Sequence, residues 1–168
     1  VVVAVALERV AELRRSRRNA AWAFARGAVE VGQGNYRVMS AFHTLFLVAC
    51  VAEPWLLTRR FSPALATSGI AVLVGAQGLR WWAITTLGPR WNTRVIVLPD
   101  AEPVTGGPYR WLRHPNYVAV IMEMIALPLV GGAWITAVLA SLGNALLLRA
   151  RIATEERALG AQWARIFA

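Results

Sequence analysis

The fold is organised around residues 106–117, GGPYRWLRHPNY, a polar and turn-rich run between two strongly apolar halves of the chain. Its two glycines permit backbone conformations that other residues avoid, and its two prolines stiffen the segment. Arg113 and His114 come directly before Pro115, and proline suits the first turn of a helix. A structured polar segment between membrane spans is the first place to expect chemistry. The competing interpretation is an interfacial loop whose arginines contact lipid phosphates.

The composition indicates an integral membrane protein with a single domain. Of the 168 residues, 57% are hydrophobic and only 16% are charged, whereas a soluble domain carries roughly 25% charged residues. The net charge is +9, and every basic residue except histidine is an arginine. Most of these arginines lie in the connections between apolar runs, which fits the positive-inside rule and argues against nucleic acid as a partner. One cysteine and two histidines give no basis for a disulfide or a metal site.

The apolar pattern predicts an all-α, polytopic membrane helix bundle of about five transmembrane helices within one domain, residues 1–168. The N-terminal spans occupy residues 1–87, and residues 88–168 supply a structured loop, a helix hairpin and a C-terminal helix. Residues 19–36 are expected to form a re-entrant or interfacial connection. The predicted spans are Val1–Leu13 (truncated or short), Val38–Leu57, Ala64–Leu87, Asn116–Val130 and Ala133–Leu148.

A glycine pair at residues 131–132 makes the last two spans an antiparallel hairpin. The fifth helix is expected to run on past the membrane through Arg157. The start of the fourth span and the end of the fifth must then lie side by side on the cytoplasmic face. An alternative interpretation is that the end of the fifth helix is a solvated segment whose charged side chains form salt bridges with one another. The sequence therefore predicts a polar cluster at the helix mouth, formed by Arg113, His114, Tyr117, Arg151 and Glu155.

Glu123 is the carboxylate predicted to lie inside the fourth span. It is about two helical turns from the start of that span, where a charge is costly and is usually paired or functional. Arg80, at the inner end of the third span, is its candidate partner, although an arginine there can instead extend its side chain to the interface. His43 and Asn144 are interpreted as hydrogen-bonded residues between helices.

Two motifs resemble the isoprenylcysteine carboxyl methyltransferase family of membrane enzymes. The first is GPYxxxRHPxY at residues 107–117, and the second is RIxxEExxL at residues 151–159, with the hairpin between them. The resemblance covers roughly residues 88–160. It implies an all-helical membrane bundle that uses S-adenosylmethionine and releases S-adenosylhomocysteine. It also implies a cofactor held on the cytoplasmic side by the loop, the last two spans and the C-terminal helix, and a lipophilic acceptor that enters from the bilayer.

Site residues follow from the matching positions, and Glu123, which lies outside both motifs, is added because a carboxylate inside a span is usually paired or functional. Arg151 is expected to orient the acceptor oxygen, and Glu123, His114 or Glu155 to act as the base, so these four are the candidate catalytic residues. The candidate cofactor-binding residues are Gly107, Pro108, Tyr109, Arg113, His114, Pro115, Tyr117, Arg151, Glu155 and Glu156.

The finer pattern is similar to bacterial members of the family that accompany type III polyketide synthases and methylate long-chain alkylpyrones or alkylresorcinols. It consists of RHPNY followed by Glu123, GAVE at residues 27–30 before Asn35-Tyr36, and HTLF at residues 43–46. The expected reaction is methylation of a lipidic hydroxyl in the bacterial cytoplasmic (inner) membrane, with the acceptor and membrane lipids as partners. Ala119 stands where the family often has glycine, which bears on the acceptor.

Three alternatives stay open at this point. The first is carboxyl methylation of an isoprenylcysteine-like substrate, whose carboxylate is already ionised near neutral pH and needs no base. The second is a membrane sterol or steroid reductase that uses NADPH, because such enzymes share the helical hairpin. The third is a membrane scaffold or channel subunit without catalysis, against which the polar loop and Glu123 weigh.

Overall fold

The computed structural model describes residues 1–58, 61–99 and 101–166, without the side chains of residues 161, 162, 164 and 165. This part of the chain contains five α-helices and a two-stranded ribbon, so the predicted all-α bundle is confirmed. The helices are α1 (Val2–Phe24), α2 (Gln33–Leu56), α3 (Pro63–Leu87), α4 (Pro115–Val130) and α5 (Trp134–Ile166). The strands are β1 (Val29–Val31) and β2 (Val95–Val97), and short 3-10 helices cover Gly88–Arg90 and Gly107–Arg110.

Three of the described helices, α2, α3 and α5, are long and apolar enough to cross a membrane. The remaining two differ from them in length or in charge. Helix α4 is apolar but has only 16 residues, fewer than the ~20 that span a typical hydrocarbon core. Helix α1 has 23 residues but carries Glu8, Arg9 and Glu12 among its apolar residues. The charges of α1 are accommodated inside the bundle, as described below.

Helix α1 is continuous and extends past Leu13, where the first span was predicted to end. The segment holds no glycine or proline, and alanine, leucine, arginine and glutamate favour helix. The helix passes through the arginines at 14–18 and stops before Gly27, whose φ of 80° suits a helix end. Residues 19–36, which were expected to form a re-entrant or interfacial connection, hold the end of α1, all of β1 and the start of α2.

Helices α2 and α3 lie close to their predicted positions. Helix α2 begins at Gln33, ahead of the predicted Val38, and includes Pro54 near its end. Helix α3 starts at Pro63, where proline needs no hydrogen-bond partner for its nitrogen. The Ser62 hydroxyl accepts a hydrogen bond from the backbone N–H of Leu65 at 3.5 Å and caps the helix.

Helices α4 and α5 form the predicted antiparallel hairpin through the glycine turn. Pro128 lies inside the last turn of α4 and does not interrupt it. Helix α5 continues well past the apolar part of the chain to Ile166, across a kink at Gly160 with φ 75°. The predicted continuation of this helix through the second motif is therefore confirmed, and it brings that motif alongside the start of α4.

The two strands form a short antiparallel ribbon at the same end of the bundle. Val29 lies opposite Val97, and Arg94 Nη1 donates a hydrogen bond to Glu30 Oε2 at 2.7 Å beside the ribbon. The β-branched residues of Val95–Val97 favour an extended strand, but the sequence analysis did not predict the pairing of β2 with β1. The ribbon ties the connection after α1 to the connection after α3.

Helices α3 and α4 pack against each other without space for larger side chains. A Cβ atom on Gly69 would lie 3.0 Å from the backbone oxygen of Ala126 and 3.0 Å from a methyl carbon of Val130. Both contacts would be tighter than most real Cβ contacts, so glycine favours this close approach, as is common between membrane helices. The apolar core beside this contact includes Phe46, Leu73, Val120, Met124 and Leu127.

Glu53 fastens α2 to the beginning of α5. Its Oε1 accepts a hydrogen bond from the Ile135 N–H at 3.2 Å, and its Oε2 accepts from the Thr136 N–H and hydroxyl at 2.7 Å each. These bonds satisfy N–H groups that the first turn of a helix leaves unpaired. The same pair of helices meets again at Met39 and Arg151, next to the polar end of the bundle.

Candidate active site

A cavity of about 360 Å³ collects most of the predicted site residues. Its walls come from the end of α1, from β2 and the loop after it, from the 3-10 helix at Gly107–Arg110, from the start of α4 and from the middle of α5. The two motifs, separated by the hairpin in sequence, therefore face one space. The predicted residues that line it are Tyr109, Arg113, His114, Tyr117, Arg151 and Glu155.

Arg151 is held in place from two directions. Its Nε donates a hydrogen bond to the phenol oxygen of Tyr117 at 2.8 Å, and its Nη2 donates to the backbone oxygen of Thr93 at 2.7 Å. The Tyr117 phenol in turn donates to Glu155. The contact between the start of α4 and the second motif, predicted from the hairpin, is confirmed. A guanidinium fixed in this way can present its remaining N–H groups to an anionic oxygen in a defined direction.

His114 is oriented by the second glutamate of the RIxxEExxL motif. Its Nε2 lies 3.1 Å from Glu156 Oε1. The imidazole stacks on the Tyr117 ring with centroids 5.2 Å apart, and it lies against the Trp163 ring at 5.3 Å. These contacts fix the ring plane at the cavity wall. Glu156 does not itself line the cavity, so it acts on the site through His114.

Tyr109 is a buried, neutral donor at the cavity wall. The pKa of its phenol is raised, first by burial and then by the negative charge of Glu155. Both causes favour the uncharged form. The phenol therefore keeps its proton throughout the physiological range and is suited to hydrogen bonding, not to accepting a proton.

Gly107, Pro108 and Pro115 support the wall without lining it. Gly107 has φ 55°, and a Cβ atom there would collide with the Thr86 hydroxyl and approach the Trp82 indole nitrogen within 3.1 Å. Pro108 and Pro115 are fully buried. These three residues set the path of the backbone that carries Tyr109 and His114. Their predicted contact with a cofactor stays a prediction.

Glu123 lies in a different part of the molecule. Its Oε2 accepts a hydrogen bond from Arg80 Nη2 at 2.6 Å and one from Arg9 Nη2 at 3.3 Å. The predicted pairing with Arg80 is thus confirmed. Arg9 also donates to Glu12 at 2.6 Å, so α1 contributes two charges that the sequence analysis did not connect to this cluster. Glu123 is absent from the cavity wall, which leaves its predicted role as the base without support from geometry.

His43 and Asn144 were interpreted as residues that hydrogen-bond between helices. His43 Nδ1 instead lies 2.8 Å from the backbone oxygen of Met39, one turn earlier in the same helix. Asn144 is buried in α5, and its Oδ1 has no hydrogen-bond partner among the described residues. Neither side chain lines the cavity.

Asn116 is a cavity residue that the sequence analysis did not single out. It occupies the variable position between Pro115 and Tyr117 of the first motif, and its buried Oδ1 has no hydrogen-bond partner among the residues that the structure describes. Arg94 and Trp91, near β2, also line the cavity. Their positions depend on the ribbon, which the sequence alone did not reveal, whereas the place of Asn116 within the motif was a usable signal.

Comparison with known proteins gives one family and two relatives. The family model of the isoprenylcysteine carboxyl methyltransferase (ICMT) family matches residues 69–161. A Bacillus subtilis (strain 168) protein described as "Uncharacterized protein YpbQ" is 38% identical over 160 residues, which cover 95% of this chain and 94% of that protein. A Haemophilus influenzae protein described as "Uncharacterized protein" is 29% identical over 136 residues, or 80% and 78% of the two chains. No solved structure matches.

Proposed function

Since this chain belongs to the isoprenylcysteine carboxyl methyltransferase family of integral membrane proteins, we propose that it transfers the methyl group of S-adenosylmethionine to an oxygen of a lipophilic acceptor. Members of this family are membrane methyltransferases that use S-adenosylmethionine. The observation that carries the proposal is the meeting of both family motifs at one cavity, where Arg151 bonds to Tyr117.

The cavity fits this cofactor in size and in chemistry. Its volume of about 360 Å³ lies within the range of roughly 300–1,000 Å³ typical of small-molecule sites. The unpaired Oδ1 of Asn116 offers an acceptor for a ligand N–H or O–H group. Aromatic side chains, a guanidinium and a carboxylate in one wall suit a nucleoside that carries a charged amino-acid tail.

Tyr109, His114 and Tyr117 would hold the cofactor from the side of α4 and the preceding 3-10 helix, and Arg151 and Glu155 from the side of α5. When bound, the cofactor supplies an electrophilic methyl group on a positively charged sulfur. Transfer of such a group depends mainly on alignment of the acceptor oxygen with the methyl carbon. The ordered side chains of the wall meet that need, because their hydrogen bonds to one another restrict their motion.

Arg151 is the residue best placed to position the acceptor oxygen. Its bonds to Tyr117 and Thr93 use Nε and one Nη2 proton, and a guanidinium has five N–H groups. The remaining groups favour an anionic oxygen, and burial strengthens that attraction. Arg151 also contacts Met39 of α2, so the guanidinium lies where the cavity meets the membrane helices.

The acceptor is proposed to be a carboxylate first and a hydroxyl second. The family description names carboxyl methylation, and a carboxylate is ionised near neutral pH without a base. The hydroxyl of a long-chain alkylpyrone or related lipid remains the second candidate because His114 is held 3.1 Å from Glu156. In this arrangement His114 could accept the hydroxyl proton. Glu155, which already accepts from Tyr117, is the other candidate base.

We propose that the cavity faces the cytoplasm of a bacterial cell, with the chain in the inner membrane. The arginines at positions 14–18 lie in the half of α1 that leads to the cavity, and Arg113 and Arg151 line it. Arginine-rich connections favour the cytoplasmic side of a membrane. The lipophilic acceptor would then reach the cavity from the bilayer, and membrane lipids would surround the apolar faces of α2, α3 and α5.

The acceptor class can be tested with purified full chain in lipid nanodiscs. Methyl-labelled S-adenosylmethionine is supplied together with either an S-farnesylcysteine derivative or a long-chain alkylpyrone. Label on a carboxylate forms an ester, which mild base hydrolyses to volatile methanol, whereas label on a hydroxyl forms a more base-resistant ether. We expect base-labile label on the cysteine derivative. Base-resistant label on the alkylpyrone alone would favour the second candidate.

Binding controls separate the proposed activity from the remaining alternatives. S-adenosylhomocysteine should bind to the same preparation, and NADPH should not. Binding of NADPH without S-adenosylhomocysteine would overturn the proposal in favour of a reductase. Failure to bind either ligand, together with failure to label either acceptor, would favour a role without catalysis.

A further inference from the structure

Asn116 is distinguished from the other cavity residues by an unused hydrogen-bond acceptor. It lies in the first turn of α4, and its buried Oδ1 has no hydrogen-bond partner within the part of the chain that the structure describes. Across the described ranges 1–58, 61–99 and 101–166, no other side chain with a buried unpaired oxygen or nitrogen lines this cavity. Buried polar groups are nearly always hydrogen-bonded in native proteins. An unpaired oxygen in the wall of a ligand-sized cavity therefore indicates that a bound ligand supplies its hydrogen-bond donor.

The polar neighbours of Asn116 are already engaged with one another. Tyr117 bonds to Glu155 and receives a bond from Arg151, and His114 pairs with Glu156. A ligand that enters the cavity must compete for these groups, but it meets the Asn116 oxygen without displacing a protein partner. A carboxamide also presents an N–H donor beside its oxygen acceptor in one plane. It therefore suits a ligand edge that offers a hydrogen-bond acceptor beside a hydrogen-bond donor.

The charges of the cavity decide which part of the ligand lies there. S-adenosylmethionine carries N–H donors in its amino-acid ammonium group and in the 6-amino group of adenine. The ammonium is positively charged and is better matched by the carboxylates of Glu102 and Glu155, which line the cavity. Asn116 is neutral and lies at the N-terminal end of α4, whose dipole disfavours a cation. The uncharged adenine edge is the better partner there.

We infer that Asn116 binds the adenine ring of the cofactor, accepting a hydrogen bond from the 6-amino group through its side-chain oxygen. The inference deepens the proposed function and rests on it. Asparagine pairs with adenine in this way, amide oxygen to the amino group and amide nitrogen to a ring nitrogen, in nucleic-acid recognition. Asn116 thereby selects a 6-amino purine over a 6-oxo purine, and it is a specificity residue of the site.

The test compares two ligands that differ at the position Asn116 is inferred to contact. The full chain in nanodiscs is titrated by calorimetry with S-adenosylhomocysteine and with S-inosylhomocysteine, in which an oxygen replaces the 6-amino group. The unmodified chain should bind the adenosyl compound about tenfold more tightly. N116A should weaken binding of the adenosyl compound about three- to tenfold and leave binding of the inosyl compound unchanged or tighter.

Two further variants keep the outcome interpretable. N116D retains an acceptor oxygen and should preserve the preference for the adenosyl compound, even if N116A folds poorly. N144A is the matched control, because Asn144 also has a buried unpaired Oδ1 but lies outside the cavity wall. It should leave the ratio of the two affinities unchanged.

The results separate failure of the inference from failure of the proposed function. If the unmodified chain binds S-adenosylhomocysteine but N116A weakens both ligands equally, or neither, the inference on adenine is overturned while the proposed function stands. If N116D loses the preference as N116A does, acceptance by the side-chain oxygen is also overturned. If the unmodified chain binds neither ligand, both the proposed function and the inference on adenine are overturned.

Discussion

At the scale of single residues, the proposed methyl transfer depends on how Arg151 is held. One guanidinium bonds to a side chain of α4 and to a backbone oxygen ahead of β2, and it comes from α5. Three separate segments therefore define its direction. A lysine could not reproduce this arrangement, because an ammonium lacks the planar fork of donors. The position of Arg151 is a property of the assembled site and not of its own helix alone.

Replacement of Arg151 should impair methyl transfer. R151Q removes the charge that attracts the acceptor oxygen, and the loss of a charge-assisted contact corresponds to about a 10- to 100-fold lower kcat/KM. R151K should recover little of this activity. Initial rates of label transfer in nanodiscs measure the effect. R149Q is the control, because Arg149 is exposed on the same helix and should retain activity within about twofold. Equal rates for R151Q and R149Q would remove Arg151 from the site.

At the scale of elements, the 3-10 helix at Gly107–Arg110 positions the first motif. Its beginning depends on Gly107, whose φ of 55° is left-handed and whose missing Cβ makes room for Thr86 of α3. The neighbouring Gly106 has φ −82° and open space around it. Two adjacent glycines therefore have different requirements, although the sequence alone does not distinguish them.

The variants G107A and G106A form a matched pair. G107A should lower stability by about 1–3 kcal/mol, through a strained backbone and the contact with Thr86. Because it moves Tyr109, it should also weaken binding of S-adenosylhomocysteine. G106A should change neither property measurably. Thermal unfolding and calorimetric titration of both variants provide the comparison. If G107A behaved like G106A in both measurements, the described path of this loop would be wrong.

At the scale of the whole molecule, the antiparallel hairpin of α4 and α5 could be predicted from the sequence, and so could the contacts that it brings about. Short connections force helices to be antiparallel, so the meeting of Tyr117 with Arg151 and Glu155 could be predicted. The ribbon could not, because each strand has three residues and its partner lies far along the chain. The continuity of α1 was also missed, since arginines at 14–18 resemble a membrane boundary when they are read without their contacts.

A second polar region, away from the cavity, ties α1 to the bundle. Arg80 and Glu123 each expose only 4% of their side chains, and Arg9 completes the cluster from α1. Sequence reasoning placed a charge inside the membrane and named its partner correctly. It also assigned Glu123 to catalysis, because both the cavity and the Arg80–Glu123 cluster border α4. The three-dimensional structure was needed to show that they are separate sites.

Removal of the Glu123 charge should affect stability before chemistry. E123Q removes the nearer counter-charge of Arg80, which lies 2.6 Å away, and leaves Glu12 Oε1 at 3.8 Å. Loss of one partner of a buried pair costs about 3–5 kcal/mol. E8Q is the control, because Glu8 is more exposed and its pairing with Arg9 at 3.6 Å is longer, so it should cost less than about 1 kcal/mol. Thermal unfolding in detergent measures both. Unchanged stability with lost methylation of a hydroxyl acceptor would instead restore Glu123 as the base.

The central claim is that the cofactor occupies the cavity between the two motifs, and covalent mapping tests it most directly. Purified chain is irradiated with methyl-labelled S-adenosylmethionine, digested and analysed by mass spectrometry, with excess S-adenosylhomocysteine as competitor. We expect competed label within residues 91–117 or 151–163, the segments that contain most of the cavity wall. Competed label confined to α2, or to the Arg80–Glu123 region, would contradict the account.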